Sequence, residues 1–180
     1  RDVLSRLLYG GRVSLAVGIF STAVSVIVGI PLGMLAAFYR GAFEVVVMRL
    51  SDIFMSFPST ILILFLVSMF GPSIITVTVV IGVLGWPKFA RQIYGSVLSI
   101  REKDYIEGAV AIGAKDKLII TRYILPNAVT PIFISITFRI ASAIILESSL
   151  SFLGMGVQPP AASWGNMLYN AQSITILTSR

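Results

Sequence analysis

Long apolar stretches separated by short charged segments dominate the chain. The first stretch, residues 13–39, contains no charged residue. As a helix it would extend about 40 Å at about 1.5 Å per residue, which exceeds the roughly 30 Å of a bilayer's hydrocarbon core. Similar apolar runs cover residues 51–70, 73–94 and 127–150. The pattern therefore predicts an all-α membrane protein with four transmembrane spans in this piece.

Glycine and proline mark the interruptions of this pattern. Pro31, between Gly29 and Gly33, predicts a kink or a close helix crossing, since proline removes a backbone donor and glycine permits close approach. Gly71-Pro72 predicts a tight turn between the second and third spans. Residues 151–180 contain several glycines and prolines and are expected to form an external loop without a helix, with Trp164 at the bilayer interface.

The composition supports a lipid environment and limits the chemistry. Hydrophobic residues make up 56% of the chain, charged residues 12%, and the mean hydropathy is +0.92, whereas soluble domains carry about 25% charged residues. Cysteine and histidine are absent. No catalytic residue and no metal ligand set is predicted, because the commonest general base and the commonest metal ligands are missing. The basic residues are not interleaved with aromatics, which argues against nucleic acid as a partner.

The distribution of basic residues predicts the orientation. Nine lie in the segments on one side of the spans, against four on the side that holds both ends of the chain. Because cytoplasmic loops carry the excess of lysine and arginine, the first side is expected to be cytoplasmic, including residues 96–126. The nine are Arg40, Arg49, Lys88, Arg91, Arg101, Lys103, Lys115, Lys117 and Arg122; the four are Arg1, Arg6, Arg12 and Arg180.

Residues 96–126 form the longest cytoplasmic segment of this topology. Asp104 followed by Glu107 is typical of a capping box and predicts a helix start, and Gly113 predicts its end in a left-handed conformation. A second short helix is expected from Lys115 to Tyr123, stopped by Pro126. The small residues Gly108, Ala109 and Ala111 would form the front of this rigid helix–turn–helix bracket.

This segment resembles the "EAA" loop of binding-protein-dependent ABC import permeases, through Glu107-x-Ala109-x-x-x-Gly113 followed by Leu125-Pro126. Gly108 and Tyr123 depart from the usual residues of that loop without adding bulk to its front. Further segments, in family order over nearly the whole chain, resemble the dipeptide/oligopeptide/nickel branch. They are Gly10-Gly11-Arg12-Val13-Ser14-Leu15, Arg49-Leu50-Ser51-Asp52 with Phe57-Pro58, Asp104-Tyr105, residues 150–160 and Ser163-Trp164-Gly165.

The resemblance implies the second permease subunit of a pair in a type I ABC importer, with six spans in the complete subunit. One span would precede Arg1 and one would follow Arg180, so the chain is expected to be part of a longer protein. The implied partners are a homologous permease (a heterodimer), two cytoplasmic ATPase subunits, which use ATP and Mg²⁺, and an external solute-binding protein. The chain itself would bind no cofactor and would not be an enzyme. Its location would be the inner membrane of a bacterium or archaeon.

The resemblance also implies a coupling role for the loop and a substrate class. Docking onto the ATPase would involve Glu107, Gly108, Ala109, Gly113, Leu125 and Pro126. Di- or oligopeptides are the expected substrates, with nickel or a metal chelate as the alternative, and selection would rest mostly with the binding protein.

Two ionisable residues, Arg139 and Glu147, fall in or at the end of the fourth span. A charge at that depth costs about 2.5–3.5 kcal/mol on insertion scales, so both should face protein or water. Either they line the translocation path, where Arg139 would meet carboxylates or carbonyls of the substrate, or Arg139 forms an ion pair with a neighbouring helix or with Glu147, about two turns away. Arg49 and Asp52 are expected to be structural anchors.

Other classes of function find little support in the sequence. A self-contained channel or secondary transporter would need acidic pairs or a charge relay in the spans, and only Arg139 and Glu147 are available. Gly108 and Gly113 have the spacing of the glycines in a phosphate-binding loop, but Ala114 occupies the position of its lysine. A membrane-embedded enzyme would lack histidine, cysteine and carboxylate pairs.

Overall fold

The structure is a computed structural model that describes residues 3–158 and 161–173, with side chains up to residue 171. The secondary structure of this part of the chain is helical. Its helices are α1 (Val3–Tyr39), α2 (Gly41–Ser56), α3 (Ser59–Phe70), α4 (Ile74–Val83), α5 (Trp86–Arg101), α6 (Asp104–Ala111), α7 (Asp116–Leu118), a π-helical turn (Ile119–Ile124), α8 (Leu125–Phe152) and α9 (Trp164–Ser173).

Within the described residues, three helical stretches are long and apolar enough to cross a membrane: Val3–Tyr39, Ile74–Arg101 and Asp116–Phe152. The pair α2 and α3 makes a fourth if it counts as one bent span. The first helix begins ten residues before the predicted span 13–39 and runs through Pro31 without interruption. The stretch Ile74–Arg101 extends beyond the predicted third span, residues 73–94, because α5 continues to Arg101.

The second predicted span, residues 51–70, is not one helix. α2 ends at Ser56, and α3 begins at Ser59. Pro58 lies immediately before α3 with an extended backbone, and a residue that precedes proline, here Phe57, is disfavoured in the α conformation. The predicted turn at Gly71-Pro72 is present: Gly71 has φ +87°, and the Ser73 hydroxyl caps α4 by accepting a hydrogen bond from the Thr76 amide at 3.0 Å.

Pro126 does not stop the helix that precedes it, so this prediction is wrong. Helical structure is continuous from Asp116 to Phe152. The chain passes Pro126 through the π-helical turn, in which the Leu125 amide donates to the carbonyl of Ile120, five residues back. Pro126 therefore lies inside continuous helical structure, and the π-helical turn before it is the local adjustment that accommodates its missing amide proton.

The expected irregular loop 151–180 contains a helix, α9. Ser163 precedes α9, and its hydroxyl accepts a hydrogen bond from the Asn166 amide at 3.3 Å, the geometry of a helix N-cap. The glycine- and proline-rich composition therefore marks only the break between α8 and α9. Pro159, Pro160 and residues 174–180 lie outside the described part of this predicted loop.

The chain forms two compact units. Unit 1 consists of residues 1–24, 57–84 and 138–180, and unit 2 of residues 25–56 and 85–137. The core of unit 1 is built from α1, α3, α4 and α8, with Val17, Ile63, Val67, Val77, Ile81 and Leu150 among its buried residues. The core of unit 2 joins α1, α5, α6, the π-helical turn and α8, and includes Ala37, Phe89, Ile93, Ile106, Ile119 and Ile132.

Candidate functional site

The segment that the sequence predicts to couple to an ATPase is an eight-residue helix, α6, followed by a tight turn. The helix begins at Asp104 as predicted, but not through a capping box. Lys103 occupies the N-cap position with an extended backbone, and no side chain caps the helix. Asp104 and Glu107 instead lie in the first turn, where negative charge is favoured by the helix dipole.

Gly113 ends α6 as the sequence predicts. Its φ is +81°, a left-handed conformation that glycine adopts without steric cost. The Gly113 amide donates to the carbonyl of Val110 at 2.9 Å, and the Ala114 amide donates to that of Ala109 at 3.0 Å. This pair of bonds is the Schellman motif, so the turn satisfies two of the carbonyls that the helix end leaves free.

The residues that α6 buries and exposes differ from the predicted ones. Ala109 is only 7% exposed and packs with Ile106 in the core of unit 2, so it does not belong to the outer front. Gly108 and Ala111 are exposed. Bulkier apolar side chains are exposed beside them, which we call the outer patch: Tyr105, Val110, Ile112 and Leu118, with Ile112 86% exposed.

A cleft of about 580 Å³ lies between α6 and the C-terminal ends of α1 and α5. Glu107 and Asp116 line it together with Arg101. The Arg101 guanidinium donates to the carbonyl of Phe38 at 2.8 Å and lies 5.7 Å from the centre of the Phe38 ring. Arg101 therefore binds the C-terminal end of α1, where a cation is favoured, and the two carboxylates give the cleft an acidic lining.

Leu125 and Pro126, the remaining residues assigned to the coupling segment, begin α8. Leu125 is half-buried and Pro126 is exposed. They follow the π-helical turn, which packs against both α5 and α6. The predicted coupling residues thus lie on two elements joined by a continuous core, which also contains Ile119 and Ile124.

Arg139 and Glu147 do not form the ion pair that the sequence leaves open. The Arg139 guanidinium donates through Nη2 to the carbonyl of Ile81 at 2.8 Å, and Ile81 lies in the last turn of α4. Arg139 therefore caps a helix whose final carbonyls lack partners within the helix. Its Nε is buried without a hydrogen-bond partner in the described part of the chain.

Glu147 is fully buried, at 0% exposure, and both carboxylate oxygens accept hydrogen bonds from hydroxyl groups. The Ser14 hydroxyl donates to Oε2 at 2.9 Å and the Ser151 hydroxyl to Oε1 at 2.7 Å. Sequence spacing could suggest Ser151, one helical turn away, but not Ser14, which is 133 residues away.

Polar contacts also join α2 to α5 in unit 2. Asp52 forms an ion pair with Arg91, and the Tyr94 hydroxyl donates to the Glu44 carboxylate. The sequence predicts Asp52 as a structural anchor, which agrees with this pairing, but gives no signal for Arg91 as its partner.

Long apolar helices, a short surface helix with an exposed apolar patch, and buried polar contacts within each unit define a polytopic helical membrane protein of the permease class. The sequence profile described as "Binding-protein-dependent transport system inner membrane component" matches residues 29–179. The chain belongs to this family.

Curated relatives support the same assignment. The chain is 41% identical over 177 residues to the glutathione transport system permease protein GsiD of Pectobacterium atrosepticum, covering 98% of this chain and 59% of the relative. The GsiD protein of Escherichia coli is 38% identical over 177 residues, covering 98% and 58%. A Brucella suis protein assigned to a peptide transport system as its permease is 39% identical over 176 residues, covering 98% and 59%. The chain therefore spans about three fifths of the length of these relatives.

A solved structure confirms the fold. A chain from inward-facing structures of the MetNI methionine ABC transporter superimposes with a TM-score of 0.77 at 22% identity, over 96% of this chain and 82% of that chain. The predicted type I importer fold is thereby confirmed.

Proposed function

We propose that the chain is the membrane part of a permease subunit that imports di- or oligopeptides, forms half of the translocation path and couples it to cytoplasmic ATPase subunits. The outer patch carries this proposal. Tyr105, Val110, Ile112 and Leu118 are exposed on a short segment whose neighbours are charged, and exposed apolar groups of this kind mark protein–protein contacts.

The position of the patch favours an aqueous partner over lipid. Asp104, Glu107, Lys115, Asp116 and Lys117 surround it and are exposed, and charged groups at this density are costly in the hydrocarbon region. A cytoplasmic location follows from the excess of basic residues on this side. The cleft lined by Glu107 and Asp116 would accept a basic side chain of the same partner.

The names of the relatives support a peptide substrate. They refer to glutathione and to peptides, and nickel or a metal chelate is correspondingly disfavoured. A self-contained channel is also disfavoured, since it would have no use for an exposed apolar patch in the cytoplasm.

The proposed assembly contains this subunit, a homologous permease, two ATPase subunits and an external solute-binding protein. ATP and Mg²⁺ would be bound by the ATPase subunits. Support comes from the family description, which names a binding-protein-dependent system of the inner membrane.

Arg139 is proposed to line the path in addition to capping α4. Its side chain is half-buried, and one guanidinium nitrogen is engaged with Ile81, which leaves further donors for a substrate carboxylate. Glu147 is fully buried, so its geometry favours a structural position over contact with a passing substrate.

Substitution within the coupling segment tests the proposal. Ile112→Asp and Gly113→Val should leave membrane insertion intact but remove ATPase association or peptide-stimulated ATP hydrolysis. The first places a charge in an apolar contact, and the second forces a β-branched residue into a left-handed conformation at a cost of about 1–2 kcal/mol. The measurement is co-purification of the ATPase with the full-length subunit, together with uptake of radiolabelled glutathione and of dialanine into liposomes.

Ile112→Val is the matched control, because it keeps an apolar side chain at the most exposed position of the patch. It should retain at least about half of the wild-type uptake, since shortening by one methylene removes only about 1 kcal/mol of contact. Normal coupled transport in both Ile112→Asp and Gly113→Val would show that the segment is only a connector.

A further inference from the structure

Polar side chains from α1, α8 and the segment before α9 form one connected hydrogen-bond network that includes Glu147. Ser14 comes from α1, Ser151 from the last turn of α8, and Ser163 from the position before α9. All three hydroxyls and the carboxylate are fully buried. We call these four residues, Ser14, Glu147, Ser151 and Ser163, the polar latch.

Backbone amides fix the direction of the hydrogen bonds in the polar latch. The Trp164 amide donates to the Ser14 hydroxyl at 3.3 Å, and the Val157 amide donates to the Ser151 hydroxyl at 3.0 Å. An amide can only donate, so each hydroxyl accepts from an amide through one lone pair, and its own proton is donated to a carboxylate oxygen of Glu147. Glu147 must then accept at both oxygens, which a carboxylate does and an apolar residue cannot.

The polar latch also fixes the backbone at the start of α9. The Ser163 hydroxyl contacts that of Ser151 at 3.4 Å and also caps α9. On the other side of the same segment, the Trp164 indole donates to the carbonyl of Leu7 at 3.0 Å. The start of α9 is therefore bound to α1 and α8 at once.

Glycines show independently that this segment is held close to α8. A Cβ atom at Gly165 would lie 2.4 Å from the Ser148 carbonyl oxygen, and one at Gly156 would lie 1.9 Å from the Ser151 hydroxyl. Such distances are not sterically possible, so both positions require glycine. Trp164 in turn lies against Gly11, where a Cβ would come within 3.0 Å of the indole.

Glu147 has no cationic partner in the described part of the chain; the ion pair present there joins Asp52 and Arg91. A buried carboxylate without a cation is costly, and an apolar residue of similar volume would fill the same space at lower cost. The carboxylate is therefore explained by the acceptors it supplies rather than by packing.

We propose that Glu147 is a positioning residue: through the polar latch it holds α9 and residues 153–158 and 161–163 against α1 and α8, and substrate uptake depends on this placement. The claim that uptake depends on this placement rests on the proposed function. The placement itself does not, so the two can be tested separately.

Thiol accessibility tests the placement. Val157 is 1% exposed and contributes only its amide to the latch, and the chain contains no cysteine. In the full-length complex in nanodiscs, Val157→Cys should react slowly with a maleimide when Glu147 is native. Adding Glu147→Met should accelerate labelling by about tenfold or more. The Ser14 and Ser151 hydroxyls then lose their acceptors, so the segment that contains residue 157 opens more often.

Glu147→Gln should give an intermediate rate. Its amide oxygen accepts from one serine, but its nitrogen can only donate to the other. Ser149→Ala is the control on the same helix, since within the part of the chain that the structure describes the Ser149 hydroxyl bonds only to the carbonyl of Ile145. Labelling should stay within about twofold of the native rate. If Glu147→Met prevents assembly, Ser14→Ala removes two latch bonds, the one from Ser14 to Glu147 and the one from the Trp164 amide to Ser14, and should raise labelling by about threefold or more.

Uptake of radiolabelled glutathione and dialanine into liposomes is measured with the same variants carrying native Val157. Uptake should fall in the order in which labelling rises: native, Glu147→Gln, Glu147→Met. Labelling unchanged by Glu147→Met, or by Ser14→Ala where it replaces that variant, would overturn the placement. Faster labelling with unchanged uptake would overturn only the dependence of transport on it. Absence of uptake in the native complex would contradict the proposed substrate and leave the labelling result standing.

Discussion

At the scale of single residues, two arginines act as caps for helices other than their own. Arg101, at the end of α5, donates to carbonyls at the end of α1, and Arg139, within α8, donates to the carbonyl of Ile81 at the end of α4. The last turn of a helix has free carbonyls and a partial negative charge. In an apolar environment those carbonyls have no water to bind, so a long cationic side chain stabilises the helix end.

Arg139→Met should therefore destabilise the folded subunit. It removes a charge-assisted hydrogen bond worth about 1–3 kcal/mol, and Arg139→Lys should lose less because it keeps the charge. Thermal unfolding of the purified complex measures both. Since Arg139 is also proposed to line the path, Arg139→Met should lower uptake of glutathione, which carries carboxylates, more than uptake of an N-acetylated, C-amidated dialanine, which carries no charge. Restoration of stability by Glu147→Gln would contradict the cap and indicate an ion pair.

At the scale of helices, the crossing of α1 and α5 depends on glycine. A Cβ at Gly33 would lie 2.1 Å from the Ala90 carbonyl oxygen, and one at Gly29 would lie 2.6 Å from that of Trp86. The two glycines are four residues apart and form one face of α1, the small-residue spacing that lets helix backbones touch in membranes. The expected close crossing near Pro31 is thus confirmed, whereas the helix itself is not interrupted there.

Gly33→Leu should force α1 and α5 apart. Overpacking of this kind costs about 1–3 kcal/mol or more, so the yield of assembled complex and its melting temperature should both fall. Gly95→Ala is the matched control on α5, because a Cβ there meets nothing within 4 Å, and its effect should stay within about 0.5 kcal/mol. A stable Gly33→Leu complex would show that the crossing is loose in the membrane.

Two further features at the scale of helices are the break between α2 and α3 and the π-helical turn. Both contain or adjoin a proline, Pro58 and Pro126. Next to Pro58 one helix ends at Ser56 and the next begins at Ser59, while at Pro126 the helix continues through a wider turn. The same residue type has opposite outcomes because the π-helical turn is anchored in a core, through Ile119 and Ile124, whereas Phe57 and Pro58 are exposed.

At the scale of the whole molecule, the membrane orientation follows from charge. Nine basic residues on one side against four on the other predict that a reporter at Lys115 is cytoplasmic and one at Gln158 is external. Impermeant labelling of single cysteines in intact cells measures both. An inverted pattern would contradict the orientation, and with it the coupling role of α6.

The sequence alone determined the class of the protein. Apolar runs, the charge bias and the absence of histidine and cysteine are properties of composition and local pattern, and they predicted a helical membrane protein. The resemblance of residues 107–126 to the "EAA" loop implied the permease family, which is now shown. The turn at Gly113 was also predictable, because a left-handed residue at a helix end depends on one residue and its immediate neighbours. The predicted start of α6 at Asp104 was correct for the same local reason, although its cap was not.

Only the tertiary structure decided which polar groups meet and which faces are buried. Ser14 and Glu147 are 133 residues apart, and nothing local to either residue selects the other. Arg139 binds the backbone carbonyl of Ile81. Because every residue has such a carbonyl, the sequence does not indicate which one is bound. Ala109 is turned into the core and Ile112 to the outside, because the packing of α6 on its neighbours, rather than the size of its residues, fixes the rotation of the helix. Periodicity and backbone preference are local and can be read from the chain; the choice of partner depends on how distant helices pack.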